Sequence, residues 1–251
     1  KFCNFCGHLP HVKGKWAQQQ KRFDLEPWQK FKFANLFGFY RVSTGKRKYQ
    51  ECLNIIPRKN GKSIDAAAVG LYMLTSDNEF GSEVYCGATS EKQANEVFTP
   101  AKRMLKSNPE LMNFLDLSIQ TQSIFRESDG AFFQRVIGDP PDGTSPHCGI
   151  VDEYHEHKKD AVYKTFQTGM GARENPLLYV ITTAGDNISG PCHEKVQECI
   201  QILEGVLTDD HADSTLVLIY TIDDDAPEDF WKTEDALKMA NPNYGVSISA
   251  D

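Results

Sequence analysis

Short apolar runs alternate with helical patterns along most of this chain, and few folds accept that alternation. Runs at 52–56, 84–88, 149–152, 177–183 and 216–222 are bounded by turn residues and are too short for helices. Between the first runs lie segments 62–74, with Ala66, Ala67 and Ala68, and 91–105, both of helical pattern. Strands separated by helices cross over and pair in parallel, so the sequence predicts an α/β fold: a mainly parallel β-sheet flanked by helices. Residues 124–125 and 132–137 flank Asp129-Gly130 as the arms of a hairpin do. Ahead of the first strand, the aromatic-rich stretch 31–40 reads as a buried helix. The 251 residues, 40% hydrophobic and 25% charged, can build such a core, and disordered, collagenous and coiled-coil chains are excluded. No run approaches the ~18–20 apolar residues of a membrane span.

Charge is unevenly distributed. Residues 1–62 carry a net +11 and the remainder −19, which together give −8. An acidic total argues against a protein that simply coats nucleic acid, while a basic N-terminal part lets one face meet phosphates. The turn Lys46-Arg47-Lys48 is the expected place for such contacts. Seven cysteines, an odd number, do not suggest a disulfide scaffold and point to a reducing compartment.

Three segments carry chemistry. The first, Ile56-Pro57-Arg58-Lys59-Asn60-Gly61-Lys62-Ser63, lies between the first strand and the Ala-rich helix. A loop there turns successive N–H groups toward an anion, backed by the positive end of the helix dipole. Lys62 would reach the β- and γ-phosphates of a nucleotide, and the Ser63 hydroxyl would bind Mg²⁺. Pro57, Arg58, Lys59, Asn60 and Gly61 would complete the cradle. The pattern G-x-x-x-x-G-K-[ST] is not met in full, because Ile56 stands at its first glycine. Taken alone, the segment also reads as a helix start with exposed lysines.

The second segment, 148–157, delivers Asp152 and Glu153 to the C-terminal end of an apolar strand, where open α/β sheets bind ligands. Asp152 would hold Mg²⁺; Glu153 would orient and deprotonate an attacking water. The third, 177–185, ends in Thr182-Thr183-Ala184-Gly185. Its hydroxyls suit sensing of a γ-phosphate, and a strand running into an ordinary turn explains them equally well.

With these segments in view, the chain resembles the ATPase domain of the large terminase subunit of tailed double-stranded-DNA phages, of the lineage with the HK97-type capsid. The resemblance runs through HVKGKWA (11–17), LEPWQ (25–29), RKNGKS (58–63), YCGATSEKQA (85–94), DGTSPHCGIVDEYHEH (142–157) and TTAG (182–185). It extends to the departure at the first glycine of the phosphate loop. It implies a P-loop NTPase core of the RecA- and helicase-like kind spanning 1–240, with ATP and Mg²⁺ as ligands. Residues 241–251 would begin a linker to a ribonuclease-H-like nuclease domain, making the whole protein an endonuclease as well.

Residue by residue, the resemblance implies that Trp28 and Gln29 recognise adenine and that Lys62 and Arg58 act on the phosphates. It assigns Ser63 and Asp152 to the metal, Glu153 to water activation, and Thr182 and Thr183 to coupling. It further implies an arginine finger from a neighbouring subunit, with Arg126 and Arg135 as candidates. The implied partners are double-stranded DNA, the portal protein, the small terminase subunit and further copies in a ring on the procapsid, in the host cytoplasm and without a membrane. A helicase-like nucleic-acid translocase is the alternative, since the same residues would serve it. A nucleotide-binding scaffold without turnover has no need of Glu153.

Other signals are weaker. Cys3-x-x-Cys6 with His8 and His11 lacks the two spaced ligand pairs of a structural zinc site. His155-Glu156-His157 places its histidines at i and i+2, off a common helix face, and reads as a solvated loop. Asp223-Asp224-Asp225, followed by Ala226-Pro227, reads as the acidic cap of a helix.

Overall fold

The structure, a computed structural model, describes residues 1–138, 140 and 143–249. Asp142, the first residue of the 142–157 motif, and residues 250–251 of the expected linker lie outside the described residues. Two short helices, α1 (Phe2–Cys6) and α2 (Gly14–Gln18), precede α3 (Pro27–Gly38). The α/β body follows with β1 (Glu51–Ile55), α4 (Lys62–Thr75), β2 (Glu83–Ala88), α5 (Glu91–Lys106), α6 (Pro109–Phe114), β3 (Leu117–Ile119), β4 (Ser123–Arg126) and β5 (Phe132–Ile137). It continues through β6 (Cys148–Asp152), α7 (Ala161–Gly169), β7 (Leu177–Thr182), α8 (Pro191–Leu203), α9 (Asp210–Asp213), β8 (Thr215–Ile219) and α10 (Glu234–Ala240).

Eight strands form one sheet in the order β3-β4-β5-β2-β6-β7-β1-β8. Pairing is parallel from β5 through β8 and antiparallel in the β3-β4-β5 meander. The mainly parallel sheet and the hairpin about Asp129-Gly130 are therefore as expected. β1, β6 and β7 are buried along their whole length, as continuous apolar strands covered on both faces must be. Asn54, inside β1, is fully buried and gives its amide to Val180 O at 3.0 Å. β7 lies between β1 and β6, so the loops leaving all three strands emerge side by side.

α4 lies close on this sheet because Ala66, Ala67 and Ala68 are buried and Gly70 has no side chain. A Cβ on Gly70 would come within 2.6 Å of the Phe133 ring. α3 packs Phe33 and Phe37 against Phe2, with ring centroids 4.3 and 4.6 Å away. The expected buried helix over 31–40 is corrected here. The helix ends at Gly38, Phe31 is 65% exposed, and Lys32 beside it is 1% exposed. Aromatic content marked the segment but not its inward face.

Three other expectations change. The acidic run 223–225 caps no helix: it lies in a turn, and α10 begins later, capped by Thr233, whose hydroxyl accepts from Ala236 N. Cys6 is buried in the core beside Phe2, all seven cysteines are free, and no metal-binding group of three ligands occurs among the described residues. The basic turn is no open DNA-facing patch. Arg47 is 1% exposed, donates to both Asp77 oxygens at 3.0 and 3.1 Å, and binds the Asn175 and Pro176 carbonyls. Lys48 pairs with Asp213 at 3.1 Å, leaving Lys46 exposed.

Arg47 thus ties the turn before β1 to the end of α4 and the start of β7. Arg47→Ala should lower the urea midpoint at constant m by the equivalent of about 3 kcal/mol, because it leaves the buried Asp77 carboxylate with His147 alone and frees the Asn175 and Pro176 carbonyls. Lys46→Ala should stay within about 0.5 kcal/mol of the parent.

Candidate active site

The loop leaving β1 turns through Lys59 (φ 67°) and Gly61 (φ 82°) before α4 begins. Gly61 caps the helix in the left-handed region that favours glycine. A Cβ there would point at Asn243 Nδ2, 3.7 Å away, and at Gln29 Nε2, 3.9 Å away. Among the described residues the N–H groups of Gly61, Lys62 and Ser63 donate to no carbonyl, as the first turn of a helix requires, so they remain donors for an anion. Lys62 folds its ammonium back onto the carbonyls of Ile56 (2.7 Å) and Pro57 (3.1 Å). Burial lowers its pKa, opposed by the charges of Glu153 and Asp152. Two neutral carbonyls are weaker partners for an ammonium than a phosphate would be. Arg58 and Lys59 are exposed beside it.

Asp152 ends β6 and is 1% exposed. Burial, and then the charge of Glu153, raise its pKa to about 7. Its Oδ2 is buried without a hydrogen-bond partner. A carboxylate oxygen with no hydrogen-bond partner among the described residues fits a divalent cation, and the Ser63 hydroxyl, on the cavity wall, is a suitable second ligand. Glu153 follows with φ 46°, which turns the chain out of the strand. Its Oε2 is also buried and makes no hydrogen bond, although His155 Nδ1 stands 3.2 Å away, at ion-pair range but out of hydrogen-bond alignment. Thr182 and Thr183, both buried, end β7 beside these groups and contact His155.

A cavity of about 710 Å³ opens over the phosphate loop, and Arg58, Lys59, Gly61, Lys62, Ser63 and Glu153 line it together. Several expected residues serve otherwise. Gln29 lines the cavity, donates Nε2 to Asp65 Oδ1 (2.6 Å) and accepts Glu26 N–H (2.8 Å), so each end of its amide holds one structural bond. Trp28 donates its indole N–H to Asn243 Oδ1 at 2.7 Å. Asn60 is fully buried, bonded to Pro57 O, Asn241 Oδ1 and Asn243 N–H, so its side chain is a pin rather than a phosphate contact. Neither finger candidate is free. Arg126 is held by Asp129 and the Thr75 carbonyl, and Arg135 by Glu91 and Asn95 at 2.9 and 2.8 Å.

Some residues of the site escaped sequence reasoning. His11, Trp16 and Phe23 form a ring cluster on the cavity wall, at 4.9 and 5.4 Å from His11. Asn243, Val246 and Ser247 close another wall, and Ser247 donates to Lys59 O at 2.7 Å. The loop 155–157 is not solvated. His157 is 2% exposed, with Nε2 3.0 Å from Asp152 O, and the His155 side chain is 9% exposed; only Glu156 between them faces solvent.

The family model described as the terminase large subunit, ATPase domain, matches residues 27–200, more than half of the chain. The chain belongs to that family. Protein YmfN of Escherichia coli K12 is 51% identical to it over 107 residues, 43% of this chain and 22% of YmfN. The large terminase subunit of Enterobacteria phage HK97 is 30% identical over 137 residues, 53% of this chain and 27% of the phage protein. The crystal structure of the HK97 large terminase superposes with a TM-score of 0.80 over 99% of this chain and 48% of that one, at 23% identity. This likeness shows the same P-loop NTPase-like fold. The terminase ATPase chain thus spans about a quarter of the length of the curated relatives it matches. The helicase-like alternative is not favoured, and no described helix is long and apolar enough to cross a membrane.

The Asp152 shift fixes a pH dependence. Its folded pKa of about 7 lies above the unfolded value of 3.8, so the native state retains a proton that the unfolded chain releases in between. Stability of the metal-free terminase domain therefore falls as pH rises from about 4 to 7. Asp152→Asn should melt higher than the parent at pH 8 in a chelator, by roughly 2 kcal/mol, and should match it near pH 4.

Proposed function

We propose that this domain hydrolyses ATP, bound as its Mg²⁺ complex between the 56–63 loop and the ends of β6 and β7, to drive double-stranded DNA into a procapsid. The observation that carries the reading is the pair of buried carboxylate oxygens on Asp152 and Glu153 that accept no hydrogen bond among the described residues, beside the open N–H groups of Gly61, Lys62 and Ser63. A lone anion-binding loop would leave two such oxygens unexplained.

The N–H groups and the dipole of α4 hold the β-phosphate, while Lys62 swings from its carbonyls to the β- and γ-phosphates. Ser63 and Asp152 would hold Mg²⁺, which would supply neutralising charge to the bound nucleotide. Arg58, an exposed cation on the loop, meets the charge that develops on the γ-phosphate. Glu153 orients the attacking water and takes its proton at Oε2. Lys59 and Pro57 shape the loop, Trp28 borders it through Asn243, and Thr182 and Thr183 carry the loss of phosphate into β7. In the assembled machine, further copies in a ring, the portal protein and the small terminase subunit are the partners. An arginine from a neighbouring copy completes the site, and the setting is the host cytoplasm. Nuclease activity, if the whole protein has it, belongs to a part beyond the ATPase fold.

Lys62→Ala should abolish binding of a fluorescent ATP analogue. Glu153→Gln should keep MgATP binding and lower turnover by about 10²–10⁴, the usual cost of removing a general base. Asp152→Asn should weaken Mg²⁺ affinity, and with it nucleotide binding, and recover partly in excess metal. Parent-like turnover in Glu153→Gln would sink the hydrolytic assignment. Gln29→Ala should destabilise the fold by about 1 kcal/mol through the lost Asp65 bond. It should also shift KM for ATP and GTP equally; a selective loss for ATP would restore the adenine role.

A further inference from the structure

One buried side chain beside Glu153 has no part in the chemistry just described. His155 sits in the single 3-10 turn Tyr154–Glu156, immediately after the residue whose φ of 46° turns the chain out of β6. Its side chain is 9% exposed. Its main-chain N–H donates to Thr182 Oγ1 at 3.0 Å, and its Nδ1 lies 3.0 Å from the same oxygen. Nδ1 is also 3.2 Å from Glu153 Oε2, an oxygen with no hydrogen-bond partner among the described residues. Thr183 Oγ1 stands 3.5 Å from both ring nitrogens, and Glu156 Oε1 lies 3.4 Å from Nε2.

The proton on the ring can be placed by elimination. Thr182 Oγ1 has Thr183 O at 3.0 Å and Cys192 Sγ at 3.8 Å as acceptors for its own hydrogen and already accepts the His155 main-chain N–H, so with its hydrogen on either of them it accepts toward the ring. An ionised Glu153 can only accept as well. Two acceptors converge on Nδ1, and a lone pair there would face both, so Nδ1 carries the hydrogen. The loop after β7 is shaped to this ring. A Cβ on Gly185 would lie 2.8 Å from His155 Cβ, closer than side-chain carbons approach.

We propose that His155 is the positioning residue that holds Glu153 for attack on the γ-phosphate and ties that carboxylate to Thr182 and Thr183. The proposal rests on the hydrolytic reading of the site. The Nδ1 hydrogen is bonded to Thr182 Oγ1 at 3.0 Å and stands 3.2 Å from the Glu153 carboxylate just after β6, so a small turn of the ring passes it from one to the other and couples the two ends: a shift of Glu153 toward the ring draws the donor from Thr182, and a shift of β7 withdraws it from Glu153. A turn-stabilising histidine would need Thr182 alone and would have no reason to approach the unpaired oxygen of Glu153.

The test compares the parent chain with His155→Ala, His155→Asn and Gly185→Ala, measuring ATP turnover and binding of a fluorescent ATP analogue. His155→Ala should lower kcat roughly 10–100-fold, the scale of a misplaced catalytic group, with analogue Kd within about threefold of the parent. His155→Asn, whose amide N–H can stand where Nδ1–H stands, should recover most of the loss. Gly185→Ala, which pushes the ring away from outside, should resemble His155→Ala. Turnover of His155→Ala within twofold of the parent overturns the proposal, as does a His155→Asn variant no better than alanine. Long-range ¹H–¹⁵N NMR of the imidazole gives a readout free of turnover. Protonation at Nδ1, disturbed by Thr182→Val and by Glu153→Gln, is expected. An Nε2-protonated ring in a parent that hydrolyses ATP fails this proposal alone, whereas a parent that binds ATP and hydrolyses none fails the hydrolytic reading.

Discussion

Parallel pairing of β7 with β1 on one side and β6 on the other sets Ile55 opposite Thr182 and Asp152 opposite Ile181. The three strand ends are thereby level, and everything the site does depends on that alignment. Slipping one strand by a residue would turn its side chains to the opposite face of a sheet that is buried on both. The register is therefore held by the whole core and not by the loops. Phosphate loop, carboxylates and threonines can each be irregular, with positive φ at Lys59, Gly61 and Glu153, because the ladder beneath them is not.

A buried ion pair joins the N-terminal helices to this platform. Lys32 and Asp65, 1% and 0% exposed, meet at 2.6 Å, and Gln29 supplies the second hydrogen bond to the carboxylate. Burial raises the Asp65 pKa, and Lys32 opposes that rise. Such a pair adds little net stability compared with apolar residues of the same volume, but losing one partner is costly. It fixes α3 against the first turn of α4, one turn from Lys62. The basic N-terminal part thus contributes to the site partly by holding it.

What was legible in the sequence followed from local patterns. Apolar runs marked five of the strands, the hairpin marked β4 and β5, and the strand-loop-helix setting located Lys62 and Ser63 despite Ile56 at the first glycine position. β3, three residues long, is too short to show a period. The misread residues share one cause: their partners are remote in sequence. Gln29 answers to Asp65, Asn60 to Asn241 and Asn243, and Arg47 to Asp77 and Asn175. Three consecutive basic residues in a turn look solvent-facing until a buried carboxylate from another element claims the middle one. His155 was weighed only as a metal ligand, a question whose negative answer says nothing about a hydrogen-bonding role.

The pinning of residues 241–247 on the phosphate loop has a mechanical corollary. Asn60 holds Asn241 and Asn243, and Lys59 O holds Ser247, so this segment and the loop share one set of hydrogen bonds. Tension applied to residues 244–249 is delivered to the loop through a lever only a few residues long. By linkage, a ligand that favours the docked loop also raises the force needed to peel the segment away, and a load that peels it away weakens that ligand by the same free energy. The phosphate loop is in that sense a mechanical joint as well as a binding surface.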